Sequence, residues 1–195
     1  MKRIIFISGC SGSGKTTLAL NLSKSLTDSI ILSTDNYYKT GIRAKISSFF
    51  NPAYHDKIIS LDIKRIMRDF HNILDNKVVN IFQYDYISKS LTFKNKSLKG
   101  YDYIIIEGIF AYQLADLFNN PEAKLILCEE DKLTCLCRVI KRDKRERGRK
   151  IKNIVKNFNL AWDIYRKNNI DFIKNHPNIT KVNKHISQEI MLSIR

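Results

Sequence analysis

Arg3-Ile4-Ile5-Phe6-Ile7-Ser8-Gly9-Cys10-Ser11-Gly12-Ser13-Gly14-Lys15-Thr16-Thr17-Leu18 is the stretch that decides the fold. Residues 3–8 are an apolar run of strand length, the pattern of a parallel strand covered on both faces. Residues 9–16 fit G-x-x-x-x-G-K-[ST] at every fixed position. Thr16 to Leu26 follows as a helix, with Leu18, Leu22, Ser25 and Leu26 on its inner face. Glycines let the backbone take positive φ and come close to an anion. Successive N–H groups then form a nest, reinforced by the helix N-terminus. The segment reads as a cradle for a nucleoside triphosphate. Gly9, Cys10, Ser11, Gly12, Ser13 and Gly14 supply the backbone, Lys15 a charge for the β- and γ-phosphates, and Thr16 a hydroxyl for Mg²⁺. Cys10 reads either as a redox-sensitive thiol or as a filler residue.

The rest of the chain alternates strands with helices. Ser29–Ser33, Tyr103–Glu107, Ala123–Cys128 and Ile179–Val182 read as further strands. Leu61 to Leu74, Leu133–Arg145, Ile151–Asn168 and Ser187–Ile194 read as helices. Val78–Gln83 and Ser90–Lys94 alternate and pair as a small ribbon. This order predicts an α/β fold of three layers around a central, mainly parallel five-stranded sheet. Ligands of such sheets bind at the carboxyl ends of the strands. No internal repeat or interdomain linker interrupts the pattern, so residues 1–195 are expected to form a single domain. A ribbon over about 78–95 and an Arg-rich lid over about 138–150 complete it.

Three further sets of polar residues stand at informative places. Asp35, in Thr34-Asp35-Asn36-Tyr37-Tyr38, follows the second strand directly. It suits a proton acceptor or a Mg²⁺ contact through water; the plainer alternative is a turn or N-cap residue. Glu107 ends a strand of apolar and aromatic residues, where a Mg²⁺ role competes with a simple edge charge. Arg138 to Lys150 carries many cations and calls for an anionic partner, because guanidinium forks suit phosphate oxygens. Gly148 breaks that run and suggests a hinge; the alternative is a solvated charged helix.

The 195 residues are long enough for a substantial core. No apolar stretch approaches the ~20 residues that span a bilayer, so no membrane partner and a cytoplasmic location are expected. Cys10, Cys128, Cys135 and Cys137 lack metal-ligand spacing and read as reduced thiols. The net charge of +15 raises nucleic acid as a partner. Aromatic residues do not interleave with the cations as a stacking platform requires, so nucleic acid is not the expected ligand.

Gly-Cys-Ser-Gly-Ser-Gly-Lys-Thr-Thr-Leu-Ala at residues 9–19, Asp-Asn-Tyr-Tyr at 35–38, Ile-Ile-Ile-Glu-Gly-Ile-Phe at 104–110 and Arg-Asp-Lys-Arg-Glu-Arg-Gly-Arg at 142–149 occur in one order. That order resembles the uridine kinase family of P-loop kinases, whose relatives include phosphoribulokinase and pantothenate kinase. The match runs from about Arg3 to Asn157. The resemblance implies ATP at residues 9–17, Thr17 included, and Asp35 as catalytic base with Lys15 and Arg147. It implies Arg142 and Arg147 in a lid over the phosphates, and Mg²⁺ shared by Thr16, Asp35 and Glu107. Tyr38, Tyr84, Arg149 and Asn157 would bind the acceptor. The departures are concentrated at acceptor positions. Phe50 stands for an acid that holds ribose hydroxyls, although His55 and Asp56 nearby could substitute. Lys89 and Leu91 depart from His-Ser-Arg, and Val139 from a second arginine. The expected activity is ATP-dependent phosphorylation of a small hydroxyl-bearing molecule, uridine or cytidine first, with self-assembly left open. The alternative is a P-loop nucleotide-binding protein without kinase activity that acts on nucleic acid.

Overall fold

Six of the seven residues of β1 (Arg3–Gly9) are buried, as a run covered on both faces requires. In the computed structural model, which describes residues 2–41, 46, 57–79, 81–85, 88, 90–94, 101–118, 122–176 and 178–183, β1 is the middle of a five-stranded sheet. Its other strands are β2 (Ser29–Ser33), β5 (Tyr103–Glu107), β6 (Lys124–Cys128) and β7 (Thr180–Val182), in the order β2-β5-β1-β6-β7. Every pairing in this sheet is parallel. A separate antiparallel ribbon joins β3 (Ile81–Asp85) to β4 (Ser90–Lys94).

Alternate residues of β1 feed opposite layers, because side chains of a strand point to alternate faces. Ile4 and Phe6 pack with Ile66, Phe70 and Ile73 of α2 (Ile63–Leu74) and with Ala111 and Leu114 of α3 (Ala111–Phe118). Ile5 and Ile7 pack with Leu18, Ala19 and Leu22 of α1 (Lys15–Ser25). Phe6, Ile5 and Ile7 are 1% exposed or less. Each such side chain contributes about 1.5–3 kcal/mol relative to exposure. A third cluster, Cys10, Cys135, Val139, Ile154 and Phe158, fastens the loop after β1 to α4 (Lys132–Arg147) and α5 (Ile151–Asn175).

Local signals set the helix ends. Asp62 caps α2 by accepting from the Arg65 N–H, and Asp131 caps α4 by accepting from the Thr134 N–H. Gly148 closes α4 in the left-handed conformation. Most expected elements are present, with shifts of a residue or two at their ends. The ribbon starts at Ile81 rather than Val78, and α5 runs on to Asn175 rather than Asn168. α3 was not anticipated; its eight residues are too short a window for helical periodicity to stand out. The expected helix at Ser187–Ile194 lies outside the described residues, as do Phe50, His55, Asp56 and Lys89. Among the described residues, no helix is long and apolar enough to cross a membrane.

The sheet order sets the carboxyl ends of β2, β5 and β1 side by side. Glu107 at the end of β5 is in register with Ile7 on one side and Ser33 on the other. The next residue, Gly108, has φ of 152° and lies against Thr34, so that a Cβ there would fall 1.8 Å from Thr34 Oγ1. Gly108→Ala is expected to cost about 1–3 kcal/mol of stability by overpacking. Urea denaturation measures it; an unchanged midpoint would show that the turn after β5 accommodates a side chain.

Candidate active site

The loop from Gly9 to Lys15 takes its shape from two left-handed residues, Gly12 at φ 86° and Gly14 at φ 94°. Gly12 has a second reason to be glycine. A Cβ on it would sit 2.5 Å from the Cys135 carbonyl oxygen, because α4 packs directly on the loop. Arg138 on α4 donates to the Gly12 carbonyl at 2.8 Å and pairs with Glu130 at 2.8 Å. Arg138 therefore braces the loop through protein groups, unlike the anion contact expected of the basic run that it opens. Lys15 is buried, with Nζ 3.4 Å from the Cys10 carbonyl.

Cys10 Sγ lies 3.4 Å from Cys135 Sγ, and both thiols are buried. The hydrogen bond from Cys135 holds the Cys10 thiol below its ordinary value; burial opposes that and the Lys15 charge assists it.

Thr16 Oγ1 donates to Glu107 Oε2 at 3.1 Å, which joins the first turn of α1 to the end of β5. Glu107 is 3% exposed, and burial raises its pKa above the ordinary carboxylate value. Lys15 counteracts the rise, the charge of Asp35 adds to it, and the hydroxyls of Ser33 and Thr16 oppose it. A carboxyl group whose folded value lies above its unfolded one binds its proton more readily when folded. Its stabilising contribution is present at low pH and is lost as pH rises through the folded value. Ionised Glu107 therefore costs stability at neutral pH in the ligand-free protein. Glu107→Gln is expected to raise the neutral-pH melting temperature, by an amount that shrinks in acid. A lower melting temperature at neutral pH would remove the burial argument.

Asp35 lies in a 3-10 turn, Thr34–Tyr37, straight after β2. The same turn carries Asn36, whose side-chain Oδ1 accepts from the Tyr84 N–H of β3 at 3.1 Å. The Tyr38 and Tyr84 rings are 5.3 Å apart.

The basic segment is organised by a residue that the sequence reading did not single out. Asp143, with a side chain only 4% exposed, receives Arg142 Nη2 at 2.8 Å, Arg147 Nη1 at 3.4 Å and Arg149 Nη1 at 3.2 Å. One buried carboxylate holds three guanidiniums, which offsets their mutual repulsion. The signal lay in the sequence: Asp143 is the single acid among the cations of residues 141–145.

These pieces surround one cavity of about 220 Å³. Ser11, Lys15 and Thr16 line it from the loop and α1, and Asp35, Tyr38 and Tyr84 from the turn after β2 and from β3. Val139, Arg142, Asp143, Arg147 and Arg149 line it too, and α5 adds Asn157 and an apolar wall of Ile154, Phe158 and Ala161. Sequence reasoning missed that apolar wall, along with Ile109. Gly9, Cys10, Gly12, Ser13 and Gly14 shape the loop rather than line the cavity. Glu107 lies behind Thr16, and Thr17 is exposed on α1 outside the lining.

Known proteins are similar to this chain in sequence and in fold. A family model for the phosphoribulokinase / uridine kinase family matches residues 4–185. A uridine kinase of Borrelia garinii subsp. bavariensis is 27% identical over 168 residues, which cover 85% of this chain and 80% of that one. A uridine kinase of Staphylococcus aureus (strain Newman) is 30% identical over 157 residues, covering 80% and 75%. The fold matches a structure described as a "possible uridine kinase" from Bacillus stearothermophilus, with TM-score 0.61 and 18% identity over 92% of this chain and 88% of that one. The chain belongs to the phosphoribulokinase / uridine kinase family and is an ATP-dependent phosphotransferase that acts on a hydroxyl group.

Proposed function

We propose that the acceptor is a nucleoside, uridine or cytidine first, or a related metabolite alcohol. The observation that carries this reading is the convergence of Lys15, Asp35, Tyr84 and the three Asp143-bound arginines on one cavity. Asp35 accepts the proton of the acceptor hydroxyl. The freed oxygen attacks the γ-phosphorus in line, the bond to the β–γ bridging oxygen breaks, and ADP leaves. Lys15, Arg142 and Arg147 balance the charge on the phosphate oxygens. Tyr38, Tyr84, Arg149 and Asn157 hold the acceptor.

The donor set fits Mg²⁺. Glu107 is a buried carboxylate with a threonine hydroxyl 3.1 Å away and the charge of Asp35 nearby, all hard oxygen groups. Mg²⁺ takes one or two carboxylates and leaves its other positions to water and phosphates. Thr16, Asp35 and Glu107 would hold it, and it would neutralise charge on the β- and γ-phosphates.

The test is ADP release by the purified chain with ATP and a panel of nucleosides, sugars and vitamin alcohols. Uridine or cytidine should accelerate release most. If no nucleoside, sugar or vitamin alcohol in the panel accelerates ADP release, this reading falls.

A further inference from the structure

β3 and β4 form their own two-stranded sheet, separate from the five-stranded one. A two-stranded ribbon is marginal by itself, so its position must be set by contacts to the body. β3 nonetheless carries Tyr84 into the cavity that holds Asp35. One edge of β3 is occupied by β4. The other meets the turn that bears Asp35, and Asn36 makes the junction.

Asn36 faces two ways. Its side-chain Oδ1 accepts the Tyr84 N–H at 3.1 Å, and its main-chain carbonyl accepts from the Arg65 guanidinium. Arg65 itself spans the joint. Its guanidinium centre is 4.6 Å from the Tyr37 ring centroid and 5.5 Å from that of Phe82 on β3. Cation–π attraction thus adds to the hydrogen bond. Arg65 is fixed in turn by the start of α2, where its N–H donates to Asp62 Oδ1 and the Asp62 N–H donates to the Tyr37 carbonyl at 2.8 Å. We propose that Asn36 and Arg65 are positioning residues that clamp the acceptor-bearing ribbon to the turn carrying the base, so that Asp35 and Tyr84 keep a fixed separation.

The clamp rests on the assignment of Asp35 as base and Tyr84 as part of the acceptor wall. It makes a separable statement about the two halves of the site. The nucleotide half depends on the loop after β1 and on α4, neither of which the clamp touches. Loss of the clamp therefore weakens acceptor use and spares nucleotide affinity. A displacement of about 1 Å at a reacting pair costs roughly a hundredfold in rate, so the kinetic effect should be large for so small a change.

Two measurements on the full chain test this. In hydrogen–deuterium exchange, Asn36→Ala should accelerate exchange at residues 81–85 by roughly fivefold to tenfold, the worth of one lost net hydrogen bond. Exchange at residues 3–22 should stay as in wild type. Asn36→Asp keeps an oxygen acceptor and should restore protection, whereas Arg65→Met should not. Unchanged exchange at 81–85, or equal acceleration everywhere, overturns the clamp. In steady-state kinetics with uridine, Asn36→Ala should lower kcat/KM for the acceptor about tenfold to a hundredfold. The Kd of a fluorescent ATP analogue should stay within about twofold of wild type, since a spared half-site keeps its binding energy. An unchanged acceptor kcat/KM, or an equal loss of nucleotide affinity, also overturns it. If wild type phosphorylates neither uridine nor any other acceptor, the proposed function falls, and the exchange result still decides the clamp.

Discussion

A Lys15→Ala protein is expected to lose ATP turnover by roughly a hundredfold to a thousandfold, the usual effect of removing one preorganised charge from a transferring group. Lys15 is the buried cation of the loop, and its ammonium rests on the loop's own Cys10 carbonyl. That contact is replaceable: a phosphate oxygen is a far better partner than a neutral carbonyl. The substitution has a second consequence. Lys15 is the main charge that opposes the raised pKa of Glu107. Without it, Glu107 should be protonated more readily, and its hold on a cation should weaken. ADP release measured beside circular dichroism separates lost chemistry from lost folding. A folded Lys15→Ala protein with wild-type turnover would take the loop out of the mechanism.

Asp35→Asn should reduce kcat by roughly a hundredfold to ten-thousandfold, the range for loss of a general base. Affinity for a non-hydrolysable ATP analogue without Mg²⁺ should change by no more than about twofold, because Lys15 and the arginines expected on the phosphates stay in place. The amide occupies the same volume and keeps one acceptor oxygen, so the fold has little reason to respond. Single-turnover kinetics with preformed enzyme–ATP complex gives the cleanest readout, since it isolates the chemical step.

The donor half of the site was legible because its physics is local. A phosphate cradle needs glycines, a lysine and a hydroxyl at fixed spacing on one short segment, and residues 9–16 meet that need within eight positions. The places of Asp35 after β2 and of Glu107 at the end of β5 were also readable, because both strands are short apolar runs. The parallel sheet followed from the same runs, and its strands fall close to where alternation and apolarity put them. What could not be read was how distant segments meet. Arg138 looks like any other cation of α4 until the fold turns it onto the Gly12 carbonyl. Asp143 looks like a surface acid until helix geometry buries it under three arginines. The Cys10–Cys135 contact joins residues far apart in sequence, and neither cysteine announces the other. The apolar wall from α5 was invisible for a related reason: Ile154 and Phe158 have the spacing of ordinary core residues.

The central place of β1 also bears on how the chain acquires its shape. Its neighbours β5 and β6 begin at residues 103 and 124, so Arg3 pairs with Tyr103 and Ile5 with Lys124. β1 must therefore wait for two strands made much later. Pairings between such remote segments form slowly, because a long loop must close before any contact compensates for it. Until then an unpaired ribbon of isoleucine and phenylalanine stays open to other chains. Synthesis stopped before residue 128 would leave one edge of that strand bare, and such fragments are expected to aggregate rather than bind nucleotide.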